Sequence, residues 1–318
     1  MIALALFLLD GIATRVTLLP SDLSNEELHN LSTKSGVKVL ISDRSDVVGL
    51  GIPLALSVPP VIKQISTTKE KPPSAGILTE WILPTSGTTR TPKLVAHTLK
   101  SLARTVKRDR KVGANLRWGL LYDLNRFAGI QVYLQAILGG ASLILPRAGA
   151  PLEEILTYFA ASDCNALSAT PTFWRKILMT PGCKKLPLRL ISLGGEIADQ
   201  SILSALASAY PGARVTHIYA STEAGVGFSV TDGLEGFPSA FLKGVLPGVA
   251  LRISQDNILE LKTVTSKQYY LTEDDSLSDA SGFINTGDRV RIDYDRVYFL
   301  GRDSGAINVG ATRYNRRR

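Results

Sequence analysis

The chain reads as an α/β protein in which doubly wound, mostly parallel sheets carry helices on both faces and a small β-rich, barrel-like subdomain follows. Three observations predict this. Between Arg117 and Tyr219, short apolar or β-branched runs alternate with longer amphipathic ones, the order that gives parallel strands joined by crossover helices. A helix–strand–helix–strand order precedes it between Ile2 and Ser42. Beyond Gly225 the texture changes to short strand-like segments.

In order along the chain, Ile2 to Ile12 is a helix-like apolar run and Thr14 to Leu19 a β-branched one, stopped by Pro20. Ser24, with Glu27 three residues on, has the form of a capping box that opens a helix to about Ser35. Val37 to Ser42 is the next strand, and this order implies parallel strands with right-handed crossovers. Pro59-Pro60 and Pro72-Pro73 bracket a weakly patterned connector that reads as surface loop. An apolar run ends at Leu83, and a helix-like run starts near Thr98. Arg117 to Leu121, Ala141 to Leu145, Asn165 to Ala169, Leu190 to Leu193 and Arg214 to Tyr219 read as strands. Phe127 to Leu138, Pro151 to Ser162, Pro171 to Met179 and Asp199 to Ala209 read as the helices between them. Ligands are expected at the carboxyl ends of such strands. The later strands fall at Ala250 to Ile253, Ile258 to Lys262, Val290 to Ile292 and Val297 to Leu300.

The composition sets bounds on function. With 45% hydrophobic and 20% charged residues among 318, the chain has ample material for a core. The opening run Met1 to Leu9 is short, lacks a basic leader and is broken by Asp10-Gly11, so it fits a buried helix better than a membrane span or a signal peptide. Two cysteines, Cys164 and Cys183, indicate no disulfide framework and fit a reducing, cytoplasmic compartment. His29, His97 and His217 have no metal-ligand spacing, which argues against structural zinc. The net charge of +8 is scattered apart from Lys107 to Lys111 and the terminal Arg313 to Arg318 cluster. These fit a solvated helix face and a charged tail better than a nucleic-acid site, and neither nucleic acid nor membrane is expected as a partner. A positive surface suits small anionic ligands.

The chemistry is concentrated at Leu83-Pro84-Thr85-Ser86-Gly87-Thr88-Thr89-Arg90-Thr91-Pro92-Lys93. Hydroxyl residues around a glycine make a loop whose amides and hydroxyls can converge on phosphate oxygens, and Lys93 adds a positive charge. The spacing is not that of a Walker P-loop. Downstream stand Gly194-Gly195-Glu196, Tyr219-Ala220-Ser221-Thr222-Glu223, Thr286-Gly287-Asp288, Gly301-Arg302 and Ile307-Asn308-Val309-Gly310. In this order the motifs resemble those of the adenylate-forming superfamily, which includes acyl- and aryl-CoA synthetases, peptide-synthetase adenylation domains and luciferases. The resemblance runs from about Ala3 to Arg313.

That resemblance implies an AMP-forming carboxylate ligase, in which an acid and ATP with Mg²⁺ give an acyl or aryl adenylate. In the family this passes to CoA or to the pantetheine thiol of a carrier protein. It implies phosphate contacts from Thr85, Ser86, Gly87, Thr88, Thr89 and Lys93, with Gly194, Gly195, Glu196, Ala220 and Ser221 also at the nucleotide. Thr222 would meet the α-phosphate and Glu223 would hold Mg²⁺, so that Lys93, Thr222 and Glu223 form the catalytic group. Tyr219 would stack on adenine, although a tyrosine at a strand end taken alone is more often core or rim packing. Asp288 would take the ribose hydroxyls and Arg302 the ribose or phosphate. Without the family, Thr286-Gly287-Asp288 reads as a plain turn.

The acid pocket would be drawn from Asn125, Arg126, Phe127, Gly129, Gly195, Gly225, Val226 and Phe228. Arg126 either meets a substrate carboxylate or pairs with Asp123. The implied division is a core at 1–224, a β-rich subdomain at 225–303, and a hinge with a basic tail at 304–318. Measured against the family, the chain starts within the amino-terminal region and stops before the small mobile domain that carries a catalytic lysine. Arg90, Ala220 and Ala311 replace family glycines and Ser304 replaces a hinge acid. Two alternatives remain open: a nucleotide- or acyl-binding protein without turnover, or an adenylation partner whose lysine domain is separate and which serves a carrier protein.

Overall fold

The computed structural model describes residues 2–42, 44–47, 51–57, 76–85, 92–263, 269–271, 276–303, 306–309 and 312–315. The opening apolar run forms α1 (Ile2–Leu9), and β1 (Arg15–Thr17) follows. Helix α2 (Asn25–Ser35) begins at the Ser24 cap. The Ser24 hydroxyl accepts from the Glu27 amide while the Glu27 carboxylate accepts from the Ser24 amide. Gly36, at φ +67°, closes the helix in the left-handed conformation that glycine adopts without strain. After it come β2 (Val39–Ser42), β3 (Leu54–Ser57), β4 (Glu80–Pro84) and β5 (Leu94–Thr98).

The first half departs from the parallel strands expected of its helix–strand–helix–strand order. Strands β1 and β4 pair in parallel, but β4 and β5 form an antiparallel hairpin, and β2 pairs with β3 in a separate two-stranded sheet. Helix α2 accounts for the split. It buries Leu31 with Ile82, Leu94 and Ala96 of β4 and β5, and buries Leu28 with Leu40 of β2. A single helix thus covers two sheet fragments. The proline-bracketed connector and residues 86–91 lie outside the described residues.

Two one-turn helices, α3 (Leu99–Leu102) and α4 (Arg110–Gly113), lead into β6 (Arg117–Leu120). The alternation then runs α5 (Phe127–Gly139), β7 (Ser142–Ile144), α6 (Leu152–Ala161), β8 (Ala166–Ala169), α7 (Pro171–Met179), β9 (Leu190–Gly194), α8 (Gln200–Ala209), β10 (Arg214–Ser221) and β11 (Gly225–Val230). These strands make a six-stranded sheet in the order β11-β10-β9-β8-β6-β7, parallel except for β11. Helices α6, α7 and α8 bury one face of it, with Phe159, Trp174, Ile191, Leu193 and Leu206 at the centre. Helix α5 lies on the other side, between the sheets. Its Phe127, Ile130 and Leu134 pack with Trp81 and Leu83, and its Val132 and Ala136 with Trp118 and Leu120.

The remaining strands are β12 (Phe237–Pro238), β13 (Val249–Ile253), β14 (Ile258–Thr263), β15 (Tyr269–Tyr270), β16 (Ile284–Asp293), β17 (Arg296–Arg302), β18 (Ala306–Val309) and β19 (Thr312–Asn315). Five of them form an antiparallel sheet in the order β12-β17-β16-β14-β13 around Phe237, Leu259, Leu261 and Val297. Strand β15 returns to the first sheet beside β5, and β18 pairs with β19. Strand β11 begins at Gly225 and pairs with β10, so hydrogen bonding runs across the expected division between 224 and 225.

Candidate functional site

The phosphate-loop stretch joins two antiparallel strands, β4 and β5, rather than a strand and a helix. Sequence reading missed β5 because its alternation is hidden: Leu94, Val95, Ala96 and His97 are all buried. Two hydrogen bonds fix the base of the hairpin. The Thr85 amide donates to the Lys93 carbonyl at 2.8 Å, and the Lys93 amide to the Thr85 hydroxyl at 3.3 Å. Thr85 is buried, and the Lys93 ammonium lies 4.7 Å from the centre of the Tyr270 ring on β15. Ser86, Gly87, Thr88, Thr89 and Arg90 are outside the described residues.

Residues 222–224 form the turn of the β10–β11 hairpin. Ser221 pairs with Gly225, the Ser221 hydroxyl accepts from the Ala224 amide at 3.0 Å, and Gly225 takes φ +73° to close the turn. One side chain ties this turn to β5. His97, buried beneath α5, has Nε2 2.8 Å from the Thr222 carbonyl and a tilted ring contact with Phe127. A carbonyl only accepts, so Nε2 carries the proton. Burial lowers the pKa of His97 to about 4 and keeps it neutral. Sequence reading assigned His97 no role.

The Thr286-Gly287-Asp288 stretch sits within β16 rather than at a turn, with Gly287 at φ +68°. Asp288 accepts from the Tyr219 hydroxyl at 2.6 Å and pairs with Arg302 Nε at 2.9 Å, while Arg302 also donates to the Thr286 carbonyl. The Tyr219 ring stacks against Phe228 at 5.2 Å and Phe299 at 5.1 Å. The ring expected to stack on adenine thus packs against two phenylalanines. Burial and the neighbouring Asp288 raise its hydroxyl pKa well above the usual range.

A cavity of about 860 Å³ lies between the parallel sheet and α5. It brings together Arg126, Phe127, Gly195, Ala220, Ser221, Thr222, Val226, Phe228 and Arg302 of the expected residues. Several others serve the fold. Arg126 Nη2 donates to both carboxylate oxygens of Asp22, at 2.8 and 2.9 Å, while its Nε stands 4.0 Å from Asp123. Asp22 was missed because it is 104 residues away in sequence. Asn125 is buried, and its amide donates to Asp123. Gly129 is buried where a Cβ would collide with the Asp123 carbonyl, so it sets the close approach of α5 rather than a pocket wall. Gly194 ends β9, and Gly195 follows at φ +82°. Glu196 accepts from the Thr172 amide at 2.8 Å, in the first turn of α7. Glu223 is partly exposed on the hairpin turn.

The fold is that of an α/β protein with a cavity along its parallel sheet and an antiparallel sheet beside it. The family model for AMP-binding enzymes matches residues 3–262, and the chain belongs to that family. No curated protein matches it. Among solved structures, an E. coli MenE variant with bound OSB-AMS is 20% identical, with a TM-score of 0.66, over 93% of this chain and 63% of that one. ATP-bound MatB from Rhodopseudomonas palustris is 20% identical, with a TM-score of 0.70, over 93% and 65%. The o-succinylbenzoate CoA synthetase of Bacillus subtilis, in complex with its acyl-adenylate intermediate OSB-AMP, is 19% identical, with a TM-score of 0.68, over 95% and 66%. These likenesses are of fold, and the chain spans less than two thirds of each of these structures. Among the described residues, no helix is long and apolar enough to cross a membrane.

Proposed function

We propose that the chain binds ATP and a carboxylic acid and joins them as an acyl or aryl adenylate. The observation that carries this is the shared cavity: it joins the carboxyl ends of β9 and β10 to Arg302 of the antiparallel sheet, where ligands of open α/β sheets bind. An acid oxygen attacks the α-phosphorus of ATP, an O–P bond forms, and the O–P bond to pyrophosphate breaks. Such displacement depends on positioning and on charge stabilisation. In this reading Thr222 meets the α-phosphate, while Lys93 with Thr85, Ser86, Gly87, Thr88 and Thr89 holds the outer phosphates. Gly194, Gly195, Glu196, Ala220 and Ser221 line the nucleotide, and Asp288 and Arg302 hold its ribose. The acid lies among Arg126, Phe127, Gly195, Val226 and Phe228.

The donor set fits Mg²⁺ as a companion of phosphate and not as a caged ion. Among the described residues no three His, Cys, Asp or Glu side chains gather into a metal site. Glu223 would supply the one protein carboxylate, with substrate phosphates and water as the remaining ligands. Bound there, the ion would neutralise charge on the phosphates. The adenylate would then pass to the thiol of CoA or of a carrier protein's pantetheine, and the division at 224 and 303 would separate the core, the β-rich unit and the hinge.

A second reading, a binding protein without turnover, is favoured by one observation: Tyr219, Asp288 and Arg302 are bonded to one another rather than left open. Acid-dependent exchange of labelled pyrophosphate into ATP separates the two. Exchange with any acid supports the ligase; none, with ATP binding intact by calorimetry, supports the binding protein. Glu223→Gln should weaken Mg-ATP about tenfold, and Asp288→Ala should weaken both ATP and AMP. Unchanged nucleotide affinity in both variants would remove these residues from the site.

A further inference from the structure

Resting on the reading that the chain adenylates an acid, we propose that its substrate is elongated, a medium- to long-chain acyl acid rather than a compact ring. The cavity runs the length of β10. Arg214, Thr216, Ile218 and Ala220, alternate residues on one face of that strand, all line it. Six residue steps at about 3.3 Å give a length of roughly 20 Å. One end is the Thr222 and Arg302 end, where the adenylate would form. The other lies at the amino ends of the strands, beside Arg214.

The walls fit a chain. Ser168, Ser192 and Thr216 stand at one register on neighbouring strands, so small side chains form a shallow floor midway along the cavity. Val132 of α5 and the exposed Val112 on α4 add apolar surface to the lining, beside Gln131 and Gln135 of α5. The cavity of about 860 Å³ would hold the nucleotide at its Thr222 and Arg302 end and the acid along the rest. A benzoate-sized acid held at Thr222 would end before the floor at Thr216. An acyl chain would continue over it and bury its methylenes away from water.

The test uses the full chain and a series of acids: butyrate, octanoate, dodecanoate, hexadecanoate and benzoate. Pyrophosphate exchange is read for each, and binding of the labelled acid is read separately by equilibrium dialysis without nucleotide. Affinity should rise along the linear series, by at least about tenfold from butyrate to dodecanoate. Thr216→Phe, which fills the midpoint, should lower the ratio of dodecanoate to butyrate response by about tenfold, and Ser192→Leu should do the same if that variant does not fold. Benzoate or butyrate binding as tightly as dodecanoate would overturn the inference, as would a folded Thr216→Phe variant that lowers both linear acids alike. Binding ordered by length without exchange would count against the ligase alone, and exchange restricted to short acids against the elongated substrate alone.

Discussion

His97 is the residue on which the local geometry turns. Its buried, neutral ring donates to the Thr222 carbonyl and so fixes the β10–β11 turn against β5. Its pKa of about 4 lies below the ordinary 6.5, so the unfolded chain takes up the proton more readily. The stability this gives is whole above pH 6.5 and is lost as pH falls toward 4, by up to about 3 kcal/mol. Urea denaturation across that range should show the fall, and His97→Gln, which retains a donor but does not titrate, should flatten it. At neutral pH, His97→Leu should cost about 1–3 kcal/mol more than His97→Gln, because it leaves the carbonyl without its donor. None of this was legible in the sequence. A lone histidine in a buried strand carries no spacing signal, and its partner is 125 residues away.

At the scale of elements, legibility followed locality. The Ser24–Glu27 box, the helix begun by Pro171 and the helix expected from Asp199 are each set by neighbours within four residues, and the structure has all three, with Asp199 as the cap of α8. Strand β5 and the separate β2–β3 pair depend on what packs above them, which no local pattern states. The motifs divided in the same way. Gly195 and Gly225 take the left-handed conformations that their turns require. Gly129, expected at the pocket, instead lets α5 approach the Asp123 carbonyl. Ser24→Ala should therefore cost only about 1 kcal/mol, the value of a cap. Gly129→Ala should cost up to about 3 kcal/mol, because the backbone that it meets cannot move aside cheaply. Denaturation midpoints at constant m-value would rank the two.

The whole molecule holds two large cores, one beneath α6, α7 and α8 and one inside the antiparallel sheet. An aromatic chain anchors the second to the first's sheet: Tyr219 of β10 stacks on Phe228 and Phe299, and both of these meet Phe237. Phe237 is fully buried, so Phe237→Ala should cost about 3–5 kcal/mol. It should also loosen Tyr219 and with it the Asp288–Arg302 pair, which near-ultraviolet circular dichroism would register before the far-ultraviolet signal changes. The fold class was readable because periodicity is a chain-wide property. The cavity was not, since its walls come from Lys107 to Leu116, from α5 and from β6, β8, β9, β10 and β11, which only the packed sheet brings together, with Arg302 of β17 joining them.

The three tryptophans of the chain are not equivalent indoles. Trp81 donates its ring N–H to Asp10, and Trp174 donates to the Ser192 carbonyl. The Trp118 N–H is buried with no hydrogen-bond partner among the described residues, and its ring lines the cavity. An indole so placed emits at short wavelength, and its quantum yield responds to whatever enters beside it. The protein therefore carries its own optical reporter: filling the cavity should change the emission of Trp118 alone, and Trp118→Phe should silence that change while Trp81 and Trp174 continue to shine.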